Sequence, residues 1–299
     1  MDVAVTGASG LIGTALRASL QADGHRVISV GRSAGGSDSL QWDPAAGTVD
    51  ARGLEGLDAV VHLAGEGIAS GPWSAAQRAR IVDSRRQGTD LLARTLAGLA
   101  LPPQVLVSGS AIGYYGDRGS EVLTESSASG SDFLADVCRQ WEAATAPAEE
   151  AGIRVAHVRT GIVLDRDGGA LAKQLPAFRF GLGAQAGKGE QWMSWITLDD
   201  EVSAIRHVLD HPTLSGPVNL TAPNPATNAE FTEAVGHALH KPTFLRIPRF
   251  IGKVPFGVGD LVQSLLFSSG RVVPHVLADS GFEFAHPELP SALEAVLAT

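Results

Sequence analysis

The feature that most constrains this sequence is a set of spaced glycines close to its start. Thr6-Gly7-Ala8-Ser9-Gly10-Leu11-Ile12-Gly13 follows the apolar segment 3–5 and opens a stretch, 10–22, in which Leu11, Ile12, Ala15, Leu16 and Leu20 recur at helical spacing. Strand, glycine turn and helix in that order make the phosphate corner of a dinucleotide-binding fold. In such a corner Gly7 would permit the tight turn, Gly10 would let backbone approach a pyrophosphate, and Gly13 would let helix pack closely on strand. The N–H groups around Ser9, Leu11 and Ile12, with the positive end of the helix dipole, would face the phosphates. A glycine triplet alone is a weak signal; the strand before and the helix after make it specific.

The rest of the first half repeats the alternation. Strands are expected at 27–30, 59–63, 105–107 and 153–158, and helical patterns at 74–99, with Leu91, Leu92 and Leu96 inward, and at 132–151. Counted this way 59–63 is the third strand, and Gly24 closes the first helix. The fold class is therefore α/β: a Rossmann-type doubly wound parallel sheet over 1–165, with return elements near 196–222. From 166 to 299 proline and glycine punctuate short elements, which reads as a smaller α+β substrate region.

Composition narrows the class further. Twenty-three basic against 32 acidic residues give a net charge of −9 with no basic run, which excludes an electrostatic partner such as nucleic acid or an anionic membrane. The one cysteine, Cys138, rules out an intrachain disulfide and a cysteine-rich zinc site, and no metal is expected. The uncharged stretch 95–116 contains Pro102-Pro103 and several glycines, so it reads as helix end, turn and strand rather than a membrane span. With a strand beginning almost at residue 1, no secretory signal is expected, and the cytoplasm is the expected compartment. A small-molecule substrate is expected, and a homodimer is left open.

The end of the second strand reports on the cofactor. It reads Val30-Gly31-Arg32-Ser33, with an arginine where an acidic residue would bind the ribose hydroxyls of NAD. Arg32 suits a 2′-phosphate, so NADP(H) is the expected cofactor and NAD(H) the second choice. His62-Leu63-Ala64-Gly65 ends a further strand with small residues over which a nucleotide can lie, His62 itself reading as a satisfied strand-end histidine.

These residues resemble the extended short-chain dehydrogenase/reductase family, through Thr-Gly-x-x-Gly-x-x-Gly at 6–13, His-Leu-Ala-Gly at 62–65 and Gly-Thr at 88–89. Further segments are similar to its "epimerase family" NAD(P)-binding branch, some members of which carry an old cell-division-inhibitor label. They are Val107-Ser108-Gly109-Ser110-Ala111-Ile112-Gly113-Tyr114-Tyr115-Gly116, Trp141-Glu142-Ala143-Ala144, Arg159-Thr160-Gly161-Ile162-Val163-Leu164 and Gln191-Trp192-Met193-Ser194-Trp195-Ile196. Thr227-Asn228-Ala229-Glu230-Phe231 belongs with them, and a tail at about 248–297 resembles the branch's small C-terminal extension. The resemblance implies a catalytic hydroxyl at Ser110. It also implies cofactor contacts from Ser84, Ser108 and Arg85, the last standing where the family has an asparagine. On the residues alone Arg85 could instead pair with Asp83 or Asp90, and Arg159 ends a strand at the edge where ligands sit.

One family element is absent. Short-chain dehydrogenases place a tyrosine and, four residues later, a lysine on one helix face; the lysine lowers the tyrosine pKa and holds the nicotinamide ribose. None of Lys173, Lys188, Lys241 and Lys253 has a tyrosine four positions earlier, and Leu134 and Cys138 occupy the two places. Tyr114 and Tyr115, in the loop after the fourth strand, are the remaining hydroxyls that could donate a proton, or else they line the substrate pocket. Trp192, Met193 and Trp195 fit an apolar lid or ordinary core, and Asp199-Asp200-Glu201 reads as a helix cap. Two functions are compatible with these residues: an NADP(H)-dependent oxidoreductase or epimerase acting on a small hydroxy or carbonyl compound, or a regulatory protein that holds NADP(H) without turnover.

Overall fold

A computed structural model describes residues 1–32, 36, 38–250 and 257–298; Ser33 and Lys253 lie outside the described residues. Among these residues the main sheet has eight strands: β1 (Asp2–Thr6), β2 (Arg26–Gly31), β3 (Ser39–Asp43), β4 (Thr48–Val49), β5 (Ala59–His62), β6 (Val105–Ala111), β7 (Arg154–Thr160) and β8 (Gly216–Leu220). Their order is β8-β7-β6-β5-β1-β2-β3-β4, parallel throughout except for the antiparallel β3–β4 pair. The chain leaves β1 for β2 on one side and returns to β5 on the other. That reversal opens a crevice at the carboxyl end of β1, where open α/β sheets bind ligands.

Four helices flank this crevice and the sheet behind it: α1 (Leu11–Ala22), α2 (Ala75–Ala97), α3 (Phe133–Ala143) and α4 (Leu198–Asp210). Side chains alternate across the sheet, so Val3, Val5 and Val61 join Leu16, Leu20, Ile205 and Val208 of α1 and α4 on one face. Ala4, Ile28, Val60 and Leu106 meet Leu92 and Leu96 of α2 on the other. Both faces are covered, which is why these strands read as continuous apolar runs. No helix among the described residues is long and apolar enough to cross a membrane.

Three local differences from the sequence reading have physical causes. Strands β3 and β4 were not expected, and they make 59–62 the fifth strand; the alternation that buries Trp42 is masked by surrounding polar residues and turns. Strand β6 continues past 107 through Ser108-Gly109-Ser110-Ala111, because β7 pairs with it as far as Ala111↔Thr160. The helical pattern 132–151 breaks into α3 and a second, five-residue α-helix at Ala146–Glu150, since Pro147 has no N–H to continue the ladder.

Beyond β7 the chain forms short pairs, Ile162–Leu164 with Trp195–Thr197 and Trp192–Met193 with Ala226–Thr227, and Arg271–Val272 returns to pair with Val122–Leu123, which follows β6. Leu171, Leu175, Trp195, Phe231, Val235 and Leu293 give this region its own core. α4 packs on the main sheet and β8 joins its edge.

Candidate functional site

The glycine turn is built by close packing. Gly7 has φ +68°, and a Cβ there would lie 2.8 Å from the Leu63 carbonyl carbon; a Cβ on Gly13 would lie 2.3 Å from the Gly7 oxygen. Gly10 N–H donates to that same oxygen at 2.9 Å, leaving Ser9 and Gly10 exposed at the rim. Ser74, Asp132 and Thr197 cap α2, α3 and α4, whereas no side chain caps α1. The first-turn N–H groups of Leu11 and Ile12 are thus open to a dinucleotide pyrophosphate, in a cradle whose shape a Cβ at Gly7 or Gly13 would break by running into backbone.

Behind the cradle lies a neutral strut. Thr6 Oγ1 accepts from the Leu63 and Ala64 N–H groups at 3.1 and 3.2 Å and bonds to His62 Nδ1 at 2.7 Å. His62 Nε2 meets Thr89 Oγ1 at 3.0 Å. Burial, aided by the Arg85 charge, pushes the His62 pKa down to about 4, so the ring stays uncharged and fixes the end of β5. At the end of β2, Gly31 has open space around it, and Arg32 is exposed with no hydrogen bond or ion pair among the described residues.

At the other end of the crevice the arrangement is a buried polar network. Ser110 Oγ donates to Glu142 Oε1 at 2.7 Å. Arg159 grips both oxygens of Glu142, Nε to Oε1 at 2.8 Å and Nη2 to Oε2 at 2.9 Å. Its Nη1 donates to the Tyr115 hydroxyl at 2.9 Å and to the Glu125 carbonyl at 3.3 Å. Arg159 is 3% exposed, so the expected ligand role at the strand edge is corrected: its guanidinium is consumed by Glu142 and Tyr115. Burial alone would lower the Arg159 pKa, but hydrogen bonds and charge from Glu142 and Tyr115 raise it overall.

The two tyrosines part company here. Tyr115 is fully buried beside Leu123 and Val272, donates to Asn219 Oδ1 at 2.6 Å, and has a pKa pushed up to about 12 chiefly by burial. The expectation that either hydroxyl could donate a proton therefore narrows to Tyr114. That ring is half-buried, stacks on Arg159 with Cζ 3.5 Å from its centroid, and has a hydroxyl without a partner among the described residues. Both lie in a helical turn, Ile112–Tyr115, directly after β6.

Sequence reasoning missed Glu142, Asn219 and Glu125 as members of this network. Glu142 was visible as the next position on the Leu134–Cys138 face of one helix, but nothing local pairs it with Arg159. Cys138 is buried, its Sγ near the Ala111 carbonyl at 3.6 Å, and burial with the Glu142 charge raises its pKa to about 12. Ser108 is fully buried, and Ser84 ties the chain after β5 to α2 by accepting from the Glu66 N–H at 3.0 Å. Arg85 pairs with neither Asp83 nor Asp90, which bind Arg86 and Arg94 instead. Trp195 is core, its Nε1 donating to the Asn224 carbonyl at 3.1 Å, while Trp192 is half-buried under Arg271.

The three acidic residues of α4 are not its cap; Thr197 is, accepting from the Asp200 N–H. Asp200 accepts from the Ala285 and His286 N–H groups and so pins the C-terminal segment. Glu201 is fully buried, with Oε1 accepting from Thr160 Oγ1 at 2.7 Å and Oε2 unpartnered. Burial raises its pKa to about 8. Because the unfolded chain ionises this group near the ordinary carboxylate pKa while the folded chain keeps its proton, stability should fall by up to about 1.4 kcal/mol per pH unit between roughly pH 4.5 and 8. Urea midpoints across that range should lose this slope in Glu201→Gln; an unchanged slope would place the proton elsewhere.

Comparison with known proteins agrees with this geometry. Residues 3–220 match the family model described as the NAD dependent epimerase/dehydratase family, and 247–296 match a domain of unknown function, DUF1731. The chain is 43% identical over 292 residues to the Mycobacterium bovis epimerase family protein Mb2239, covering 97% of this chain and 96% of that one. It is 35% identical over 301 residues to human epimerase family protein SDR39U1, covering all of both. The crystal structure of human SDR39U1 (isoform 2) with NADPH superposes with a TM-score of 0.90 at 33% identity, over 100% of this chain and 99% of that one. The cradle at 6–13, the eight-stranded sheet and these matches have one explanation: the chain belongs to the NAD dependent epimerase/dehydratase family and has its NAD(P)-binding fold.

Proposed function

We propose that this protein is an NADP(H)-dependent oxidoreductase or epimerase acting on a small hydroxy or carbonyl compound. The observation that carries the cofactor choice is Arg32, exposed and without a partner among the described residues at the end of β2, beside the glycine turn. A guanidinium there complements a 2′-phosphate and repels nothing in the adenosine. NADPH in the human SDR39U1 crystal structure supports the same choice.

At the reacting end, Ser110 directs its proton to Glu142, so its oxygen presents lone pairs to a substrate hydroxyl. Tyr114 offers the unengaged hydroxyl, while Tyr115 and Arg159 hold the floor rigid. Leu134 and Cys138, which leave the usual tyrosine and lysine places on α3 without either group, favour a second reading as a protein that holds NADP(H) without turnover. Calorimetric titration separates cofactors. Arg32→Ala should weaken NADPH by about tenfold or more, the loss of one charge-assisted contact, and leave NADH nearly unchanged. Equal loss for both would remove the 2′-phosphate assignment. Nicotinamide absorbance followed with panels of carbonyls and alcohols then divides the two readings, turnover supporting the enzyme and its absence the holding protein.

A further inference from the structure

Phe180, Phe244 and Phe250 are 83%, 76% and 70% exposed, more than any other large apolar side chain among the described residues. They come from two stretches that the fold joins. The strand Ala184–Ala186 pairs in parallel with Leu245–Ile247, and a Cβ on Gly181 would lie 3.7 Å from the Pro242 ring. The turn after the helix Gly169–Arg179, with Phe180 and the exposed Leu182, therefore stands beside Phe244. Along 243–248 exposure alternates with the strand pleat: Thr243, Leu245 and Ile247 are half-buried, while Phe244, Arg246 and Pro248 face water. Arg249 and Phe250 follow, both exposed.

The same stretches are the basic part of an acidic chain. Residues 168–189 carry Lys173, Arg179 and Lys188, residues 234–259 carry Lys241, Arg246, Arg249 and Lys253, and neither stretch has an acidic residue, although the whole chain has net charge −9. Lys173, Arg179, Lys188, Lys241 and Arg246 are exposed, and none makes an ion pair or a side-chain hydrogen bond among the described residues. Arg26, Arg86 and Arg94, also at the surface, are paired with aspartates. The amino-acid order carries no basic run, and read alone it excludes an anionic membrane; strand pairing between two distant stretches gathers the charge that local order leaves dispersed.

Chemistry selects the occupant. Exposed apolar side chains gathered in one place mark an interaction surface. Lysine is depleted from protein interfaces, where tyrosine and tryptophan are common anchors. All four lysines of the chain fall in these two stretches, which contain neither tyrosine nor tryptophan. Phenylalanine and leucine interleaved with lysine and arginine suit a bilayer surface instead, where rings enter the headgroup–acyl boundary and cations meet lipid phosphates. The acidic remainder of the chain would be repelled by such a surface, so only this face can turn toward it.

We infer that this face seats the protein on an anionic lipid bilayer, with Phe180 and Phe244 entering the headgroup–acyl boundary and Arg179, Lys241 and Arg246 meeting the phosphates. Flotation of the full chain with vesicles of phosphatidylcholine, alone or with phosphatidylglycerol added, tests this at about 0.1 M salt. The protein should float with the phosphatidylglycerol vesicles only, and be largely released at about 1 M salt, where the screening length falls to about 3 Å. Phe180→Ser with Phe244→Ser should weaken partitioning by about tenfold, and Arg179→Gln with Arg246→Gln by about thirtyfold. Thermal melting by circular dichroism should be unchanged in both variants, because the altered side chains lie in water. Absence of the unaltered protein from phosphatidylglycerol vesicles would overturn the inference and leave an acidic protein as the partner of the patch. Equal flotation with both vesicle types would overturn it too, as would full binding by the serine variant, which would reduce the contact to charge without seating.

Discussion

Gly13→Val is expected to abolish NADPH binding. The position has no room for a side chain: a Cβ would stand 2.3 Å from the Gly7 oxygen and 2.9 Å from the Ala8 Cα, both backbone atoms with nowhere to retreat. Gly7 in turn rests on the end of β5, with its own Cβ position 2.8 Å from the Leu63 carbonyl carbon, so displacement of one strand end moves the other. The turn would open, and the N–H groups at the start of α1 would no longer converge on one point. Calorimetry should register no NADPH heat, with circular dichroism still reporting helix and sheet. Normal affinity in this variant would show that the pyrophosphate is held elsewhere.

Arg159→Met is the substitution expected to cost most in stability. It leaves Glu142, whose side chain is 13% exposed, without either of its guanidinium hydrogen bonds, and it strips the Tyr115 hydroxyl of a donor. Breaking a buried pair from one side costs about 3–5 kcal/mol, because the remaining charge is desolvated and unpaired. Denaturant unfolding should register a loss of that order. Adding Glu142→Gln should return a substantial part of it, since a neutral amide needs no counter-ion. A single-variant loss below about 1 kcal/mol would mean that Glu142 is reached by water and that the network is looser than its distances indicate.

Both predictions concern groups that differ in how visible they were in the amino-acid order. The phosphate turn was legible because everything it requires is contiguous: a buried strand, glycines at the tight and crowded positions, and a helix with an apolar stripe. The place of Arg32 was legible for the same reason, as the residue following the second strand. The polar network at the other end of the crevice was not. Ser110, Tyr115, Glu142, Arg159 and Asn219 come from four separate stretches, and only pairing of β6 with β7 and packing of α3 against them reveal which charges neutralise which. Arg159 at a strand end therefore read as a ligand group, although α3 carries its partner.

Local order also could not distinguish Tyr114 from Tyr115. Adjacent residues in a tight turn point to different surroundings, and the C-terminal extension, through Val272, together with Asn219 at the sheet edge, buries one of them. The α/β class, the phosphate turn and the absence of the Tyr–Lys pair were determined by sequence alone, because each depends on residues close together along the chain. Which hydroxyl is free, which arginine is neutralised and which is left open were decided by tertiary structure, because charge compensation and burial act through space between segments that the chain keeps far apart.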